Sequence, residues 1–290
     1  MAREVFVPYK PQRATLVVID QANVIIDEYL SQRQKLTRRQ LFYQFVARAL
    51  IENTFRNYRR LRGIIANARD GGVIDWDAME DRTRSVNFQA TWSNPAARVR
   101  AAAHFYREDL WQGQLYRPEV WIEKSALLGV IEGICDHFRV PYFATIGNNS
   151  QLLQHEAGVR FARYLDQGLI PLVFHLADHD PNGFDMTRDV RERLALYARA
   201  PIEVRRIALN LDHVRQYNPP PNFAKETDSR CAAYVREFGT TDCWELDALS
   251  PTVIANLIRS ELENLIDADR WNAAQRREQR ISDGGLAVFP

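Results

Sequence analysis

The stretch Leu169–Phe184, LIPLVFHLADHDPNGF, constrains the fold more than any other part of the chain. A run rich in Leu, Ile, Val and Phe stops abruptly at Asp178-His179-Asp180-Pro181-Asn182-Gly183, and a helix-like segment follows at once. A short continuous apolar run bounded by turn residues reads as a strand buried on both faces, which is the environment of a parallel sheet. Functional groups in such sheets gather just beyond the carboxyl ends of the strands. Asp178 and Asp180, one residue apart at that point, can face one hard cation that prefers oxygen ligands. Pro181 stiffens the turn, and Gly183 permits a close backbone approach. A D-x-D in this position also serves as an ordinary strand-to-helix loop with one acid capping the helix, so the motif alone leaves both roles open.

A second acid lies upstream. Glu119–Glu123, EVWIE, is another short β-prone run, and it ends at Glu123 just before the helical pattern that opens with Lys124-Ser125-Ala126. Were these two strands neighbours, Glu123 would share a sheet edge with Asp178 and Asp180. Strands are expected near 119–122, 140–145, 169–176 and 203–209, with helices near 125–138, 150–167 and 183–198. That alternation predicts an α/β fold with a mostly parallel sheet and helices on both faces. Ser250-Pro251 starts a further helix through Ile266. The polar tail from about Arg276 reads as partly loose.

The first third of the chain differs in charge. Residues 1–113 hold 18 Lys and Arg against 12 Asp and Glu, a net +6, whereas the remainder holds 20 against 25, a net −5. Between Arg33 and Arg69 there are ten basic residues and one acid, Glu52. This asymmetry suits a first part that meets phosphates and a second that binds a cation, although solvated helix faces give the same count. Thr37 with Gln40 forms a capping box opening a helix to about Asn53, and a second helix follows from Phe55 to Ala68. Helices of this size followed by Gly-Gly-Val-Ile-Asp suggest a helix-turn-helix or winged-helix unit whose β-wing comes from the residues after Gly72. The mixed segment Asp109–Pro118 marks the expected boundary, giving domains 1–113 and 114–290. Within the basic region Arg39 and Tyr43, four apart, share the margin of an apolar stripe made by Leu41, Phe42 and Phe45. A tyrosine there can bury its ring and present its hydroxyl, or act as an amphipathic core residue.

The acid pattern resembles the TOPRIM domain of topoisomerases and primases, in which a Glu after one strand and a D-x-D after a later one hold magnesium. DHDPNG is similar to the DxDPxG form of the topoisomerase VI A subunit and its relatives, the meiotic break-forming transesterases. RRQLFY in turn resembles that group's R-x-x-[FY]-Y motif, carried on a winged-helix (CAP-like) domain. The likeness runs from about Leu36 to the ELDAL at Glu245–Leu249, and the chain is most like the short stand-alone Mini-A relatives. The resemblance implies Mg²⁺-dependent DNA cleavage by a type IIB topoisomerase A-subunit-like enzyme. Tyr43 would be the nucleophile forming a 5′-phosphotyrosyl link, with Arg39 beside it. Phe42 stands where many relatives carry a second Tyr, which leaves Tyr43 the only candidate. Glu123, Asp178 and Asp180 would hold the magnesium, and Arg38, Lys124, Arg56, Arg59, Arg60 and Arg62 would contact double-stranded DNA. A homodimer, with the Tyr of one subunit serving the metal of the other, and a separate ATPase subunit are further implications.

Two rivals stand beside this reading. A TOPRIM nuclease would hydrolyse DNA with metal-bound water and use Tyr43 only structurally; a DNA-binding subunit would stay inactive until an ATPase partner joins. His179 is expected to point away from the neighbouring carboxylates, and His175 to be a core histidine. Trp76, Trp92, Trp111 and Trp121 are read as packing, and Lys225–Arg230 as a solvated polar loop. No apolar run approaches membrane-spanning length, no signal-peptide core is expected, and three scattered cysteines suit a reduced intracellular setting, cytoplasmic or nuclear.

Overall fold

The computed structural model describes residues 4–31, 35–79, 91–145, 151–223 and 229–284. The chain opens with three helices, α1 (Arg13–Ser31), α2 (Arg38–Ala47) and α3 (Phe55–Asp70). The sequence starts α2 and α3 by the same device. Thr37 forms the expected capping box with Gln40, and Thr54 accepts from the backbone of Asn57, so each threonine satisfies an orphan amide of the first turn. Helix α2 ends earlier than its periodicity predicts, at Ala47, where Ala49 turns into the left-handed region with φ 53°. Ile19, Ile25, Leu41, Phe45, Leu61 and Ile65 interlock as the core of this helical part.

Between Val73 and Met79, where a β-wing is expected, the chain makes a 3-10 turn, Trp76–Ala78, and a single bridge from Met79 to Leu36. This stretch forms no ladder, and residues 80–90 lie outside the described residues. Helix α4 (Pro95–His104) follows.

The rest is built on a four-stranded, all-parallel sheet: β1 (Tyr116–Ile122), β2 (Tyr142–Ala144), β3 (Ile170–Leu176) and β4 (Glu203–Ala208), in the order β2-β1-β3-β4. Helix α5 (Leu128–Phe138) links β1 to β2, α6 (Gln151–Asp166) links β2 to β3, and α7 (Pro181–Ala198) links β3 to β4. Right-handed crossovers that run outward in opposite directions from β1 and β3 must place α5 on one face and α6 with α7 on the other. The two cores agree. Ile131, Cys135 and Phe138 pack under Val120, Ile122 and Phe174, while Phe161, Val190 and Leu194 pack on Trp121 and Val173. Gly158 permits close approach of α6 to α7, since a Cβ there would lie 2.3 Å from Tyr197 Cβ.

Beyond the sheet lie α8 (Leu211–Tyr217), β5 (Asn222–Phe223), α9 (Cys231–Phe238), β6 (Asp242–Cys243), α10 (Pro251–Glu263) and α11 (Ala268–Gly284). Of the polar tail read as loose from Arg276, residues 276–284 are instead the second half of α11, and 285–290 lie outside the described residues. Trp271 stacks edge-on against Trp111 at 5.5 Å, and Glu278 binds Arg139 through Nη2 at 2.7 Å. Past Arg276 the helix holds one large apolar residue, Ile281, so no apolar period is left to mark it, which is why this half reads as tail. Trp111 and Trp121 are buried as expected. Trp76 and Trp92, however, are 37% and 42% exposed and carry Arg69 and Arg98 over their rings. No described helix is long and apolar enough to cross a membrane. The 3-10 turn Leu246–Ala248 joins the two parts, because Ala248 is buried in the α1–α3 core while Leu246 is buried in the core of the sheet.

Candidate active site

Strands β1 and β3 pair in parallel with Ile122 opposite Leu176, so both runs end together. They are also the strands from which the crossovers diverge, the position at which an open parallel sheet forms its crevice. Glu123 continues β1 through its amide to the Leu176 carbonyl (2.8 Å), and its Oε2 accepts from the Asp178 amide at 2.9 Å. Asp180 caps α7, with Oδ1 accepting from the Gly183 amide at 2.6 Å. The sequence-predicted acids are thus brought to one edge. Their charges repel: burial, then Asp178 and Asp180, push the Glu123 carboxyl up to about 7, and burial raises Asp180 as well.

The turn that holds these acids is fixed from behind. A Cβ on Gly183 would meet the Asp178 carbonyl oxygen at 2.2 Å, so only glycine lets α7 start this close to the strand end. Arg206, on β4, donates to the carbonyls of Ala177, Asp178, Leu209 and Gly183 and to Thr187 Oγ1, with Phe184 stacked 4.0 Å from its guanidinium carbon. Burial lowers it to about 10, against the pull of Glu123, Asp178 and Asp180. His179 faces away from the acids. Its Nδ1 meets Tyr234 Oη at 2.6 Å inside a cage of Phe184, Phe238 and Trp244, and burial lowers it to about 4. His175 pairs with Thr187 Oγ1 at 2.8 Å, and burial lowers it to about 3. Both imidazoles are therefore neutral at pH 7.

On the open side the acids meet a cation from their own chain. Lys124 Nζ lies 2.8 Å from Asp178 Oδ2, 2.9 Å from Glu245 Oε2 and 3.7 Å from Asp247 Oδ1. These carboxylates raise its pKa despite burial. Glu245 Oε2 also binds Arg39 Nη2, and Arg39 Nε reaches Asp247 Oδ2 at 3.1 Å. Arg39 in turn lies 5.9 Å from the centre of the Tyr43 ring. One continuous set of charges therefore runs from Arg39, beside the tyrosine on α2, through Glu245 and Lys124, to Asp178.

Tyr43 itself is only 3% exposed, which corrects the expectation of a presented hydroxyl. Burial first, and the charge of Glu245 second, push the phenol up to about 12, while Arg39 and Lys124 pull it down. It lines a cleft of about 330 Å³ with Phe42, Phe55, Tyr58, Asn53 and Asn222. Arg56, Arg59, Arg60 and Arg62 are exposed along α3, with no acidic partner among the described residues. Arg38 is exposed next to Arg39. Lys124, predicted to be a phosphate contact, is instead engaged by three carboxylates.

Among the described residues no group of three His, Cys, Asp or Glu side chains is arranged to hold a metal ion as it stands. The donor chemistry of Glu123, Asp178 and Asp180 nevertheless fits magnesium, and their mutual repulsion is what a cation relieves. Asp178 is engaged on both oxygens, Oδ1 by the Leu246 amide at 2.8 Å and Oδ2 by Lys124. A cation entering here must displace the ammonium.

Sequence reasoning did not single out Glu245, Asp247, Asn53, Asn222 or Arg206. ELDAL carried a signal, since its two acids are spaced like those of D-x-D; the asparagines and Arg206 carried none. Compared with known proteins, the chain matches no family model, no curated protein and no solved structure.

Proposed function

We propose that the protein cleaves double-stranded DNA by transesterification, with Tyr43 as nucleophile and the Glu123, Asp178 and Asp180 edge as a magnesium site. On this reading the helical part is a winged-helix-like DNA-binding domain, the sheet is TOPRIM-like, and the enzyme is of the topoisomerase VI A type. The observation that carries the proposal is the ion-pair chain from Arg39, whose guanidinium lies over the Tyr43 ring, through Glu245 and Lys124 to Asp178. Two motifs more than 130 residues apart meet at one place, where a phenol, two cations and a carboxylate edge can surround one phosphate.

In the resting protein Glu245 occupies the space between Arg39 and Lys124 that a backbone phosphate would take. A phosphate engaging both cations displaces Glu245 from Arg39 and Lys124. Against the effect of burial, those two cations hold the Glu245 carboxyl below its ordinary value, so once parted from them it becomes more basic and accepts the phenol proton. The Tyr43 oxygen then bonds to phosphorus as the phosphorus–O3′ bond breaks. The leaving O3′ takes the proton that Glu245 received and becomes a 3′-hydroxyl, and the 5′ end stays on the enzyme with its bond energy conserved. Glu123, Asp178 and Asp180 would hold a magnesium ion, whose chemistry there would be Lewis-acid stabilisation of developing oxygen charge. The exposed arginines of α3 anchor the duplex backbone. One chain carries the complete set, and a homodimer would place one set on each strand. A separate ATPase subunit and an intracellular location belong to the same proposal.

The burial of Tyr43 favours a second reading, hydrolysis by metal-bound water with the tyrosine merely structural. Supercoiled plasmid separates the two. With magnesium the wild-type protein is expected to give breaks that migrate free of protein only after proteolysis, Tyr43→Phe none, and Glu123→Gln with Asp178→Asn none. Full-rate cutting by Tyr43→Phe would establish the hydrolytic reading.

A further inference from the structure

The cleft beside Tyr43 is not accounted for by backbone cleavage. Its far wall is aromatic: Tyr58 lies edge-on to Phe42 at 5.3 Å, and Phe55, the first residue of α3, is 74% exposed with Arg59 over its ring at 5.8 Å. An exposed phenylalanine at a helix start gains nothing from folding, yet here it stands at the mouth of a cleft. The near wall is a fixed pair of amides. Asn53 Nδ2 donates to Asn222 Oδ1 at 2.8 Å and to the Pro221 carbonyl at 3.2 Å, and Asn222 Nδ2 donates to Glu245 Oε1 at 3.2 Å. These bonds leave Asn53 Oδ1 and one N–H of Asn222 without a partner among the described residues. An acceptor and a donor, held in place and facing an aromatic platform, match a flat ligand with a polar edge.

We propose that this cleft receives one unpaired nucleobase of the strand engaged at Tyr43, with Phe55 and Tyr58 against its face and Asn53 and Asn222 at its edge. The inference rests on the DNA reading of the Tyr43 site and extends it, because the cleft would select the nucleotide next to the cleaved linkage. Chemistry favours a base over other flat groups. Arg59 stands over Phe55 at the mouth. Arg39 on the rim is paired with Glu245 and Asp247 until, on the proposed reading, a phosphate displaces Glu245. A ligand attached to phosphate suits that rim, and aromatic stacking combined with a basic track is how single strands are held. A base reaches such a cleft only out of the stack, and unpaired or weakly paired nucleotides leave it at least cost. Amides read base edges by the same donor–acceptor pairing.

Photocrosslinking of a single-stranded oligonucleotide carrying 5-iodouracil, in chelator so that nothing is cut, tests the inference without relying on cleavage. The adduct is expected on Phe55 or Tyr58 when the protein digest is read by mass spectrometry. Phe55→Ala is expected to weaken binding of that strand about tenfold at fixed salt, and binding of a duplex of equal length less than twofold. Adducts confined to other residues, no adduct, or equal loss of single-stranded and duplex binding would overturn the proposal. A second readout uses sequences of protein-linked 5′ ends: Phe55→Ala and Asn53→Ala should flatten the base preference beside the break while ends still form. An unchanged preference overturns the cleft proposal alone, whereas absence of linked ends in the wild type overturns the cleavage reading instead.

Discussion

The acid turn and the tyrosine helix are held by opposite means. Behind the acids, Arg206 satisfies four backbone carbonyls and a hydroxyl inside the core, and Gly183 lets a helix start against the strand end. Nothing there can yield without exposing unpaired buried groups. Tyr43, by contrast, is tied to the rest of the site through Arg39 and Glu245, an ion pair at the surface of the junction between the helical part and the sheet. With Arg39 44% and Glu245 23% exposed, this pair is better reached by solvent than Arg206 is and more readily exchanged for another charge. The difference teaches where motion belongs: the carboxylate edge is a fixed template, and on the proposed reading the tyrosine side is the part that would respond to a phosphate.

The sharpest way to break this contrast is at Arg206. Arg206→Met removes a buried donor set and is expected to cost about 3–5 kcal/mol of stability, the range for leaving buried charged and polar partners unmatched. Denaturant unfolding measures it. A loss below ~1 kcal/mol would mean that the acid turn is no more rigid than the tyrosine side. Next in size is Glu245→Gln. Folding stability should change by less than about 1 kcal/mol, while the Tyr43 phenol, relieved of a negative neighbour, should titrate roughly one unit below its present position near 12. Ultraviolet difference titration against Tyr43→Phe reads this directly. An unmoved phenol would remove Glu245 from the account. The same variant should bind duplex DNA several-fold more tightly, since one carboxylate fewer competes for Arg39 and Lys124.

The smallest effect concerns pH. Glu123 sits near 7 because burial and two acids disfavour its charge. It is ionised above that value and protonated below it, and a cation needs the ionised form. Magnesium affinity, followed by calorimetry, should therefore fall about tenfold from pH 8 to pH 6 as the proton returns. A flat profile would place the ion elsewhere.

How much of this was legible beforehand follows from the kind of physics involved. Glu123, Asp178 and Asp180 could be read because a buried parallel strand ends where its apolar run ends, and neighbouring strands end together. Thr37 and Gln40 announced α2 by local capping alone. The partners of Lys124 could not be read, because Asp178, Glu245 and Asp247 reach it from strand ends and a 3-10 turn as many as 123 residues away. Lys124 therefore looked like a free phosphate contact. Arg206 lay in an unremarkable strand, since a guanidinium that serves carbonyls from behind leaves no pattern in its own segment. The second half of α11 was taken for tail because residues 276–284 hold one large apolar side chain, Ile281, and the helix is anchored there by the Glu278–Arg139 ion pair, which leaves no apolar period.

The central claim is that the phenol of Tyr43 becomes bonded to a DNA 5′ end. Reaction with plasmid and magnesium, quenching in detergent, nuclease trimming and peptide mass spectrometry address it in one step. A nucleotide-bearing peptide containing Tyr43, absent when Glu123→Gln replaces the wild type, is the predicted result. Breaks with unmodified Tyr43, or an adduct on any other residue, would contradict it.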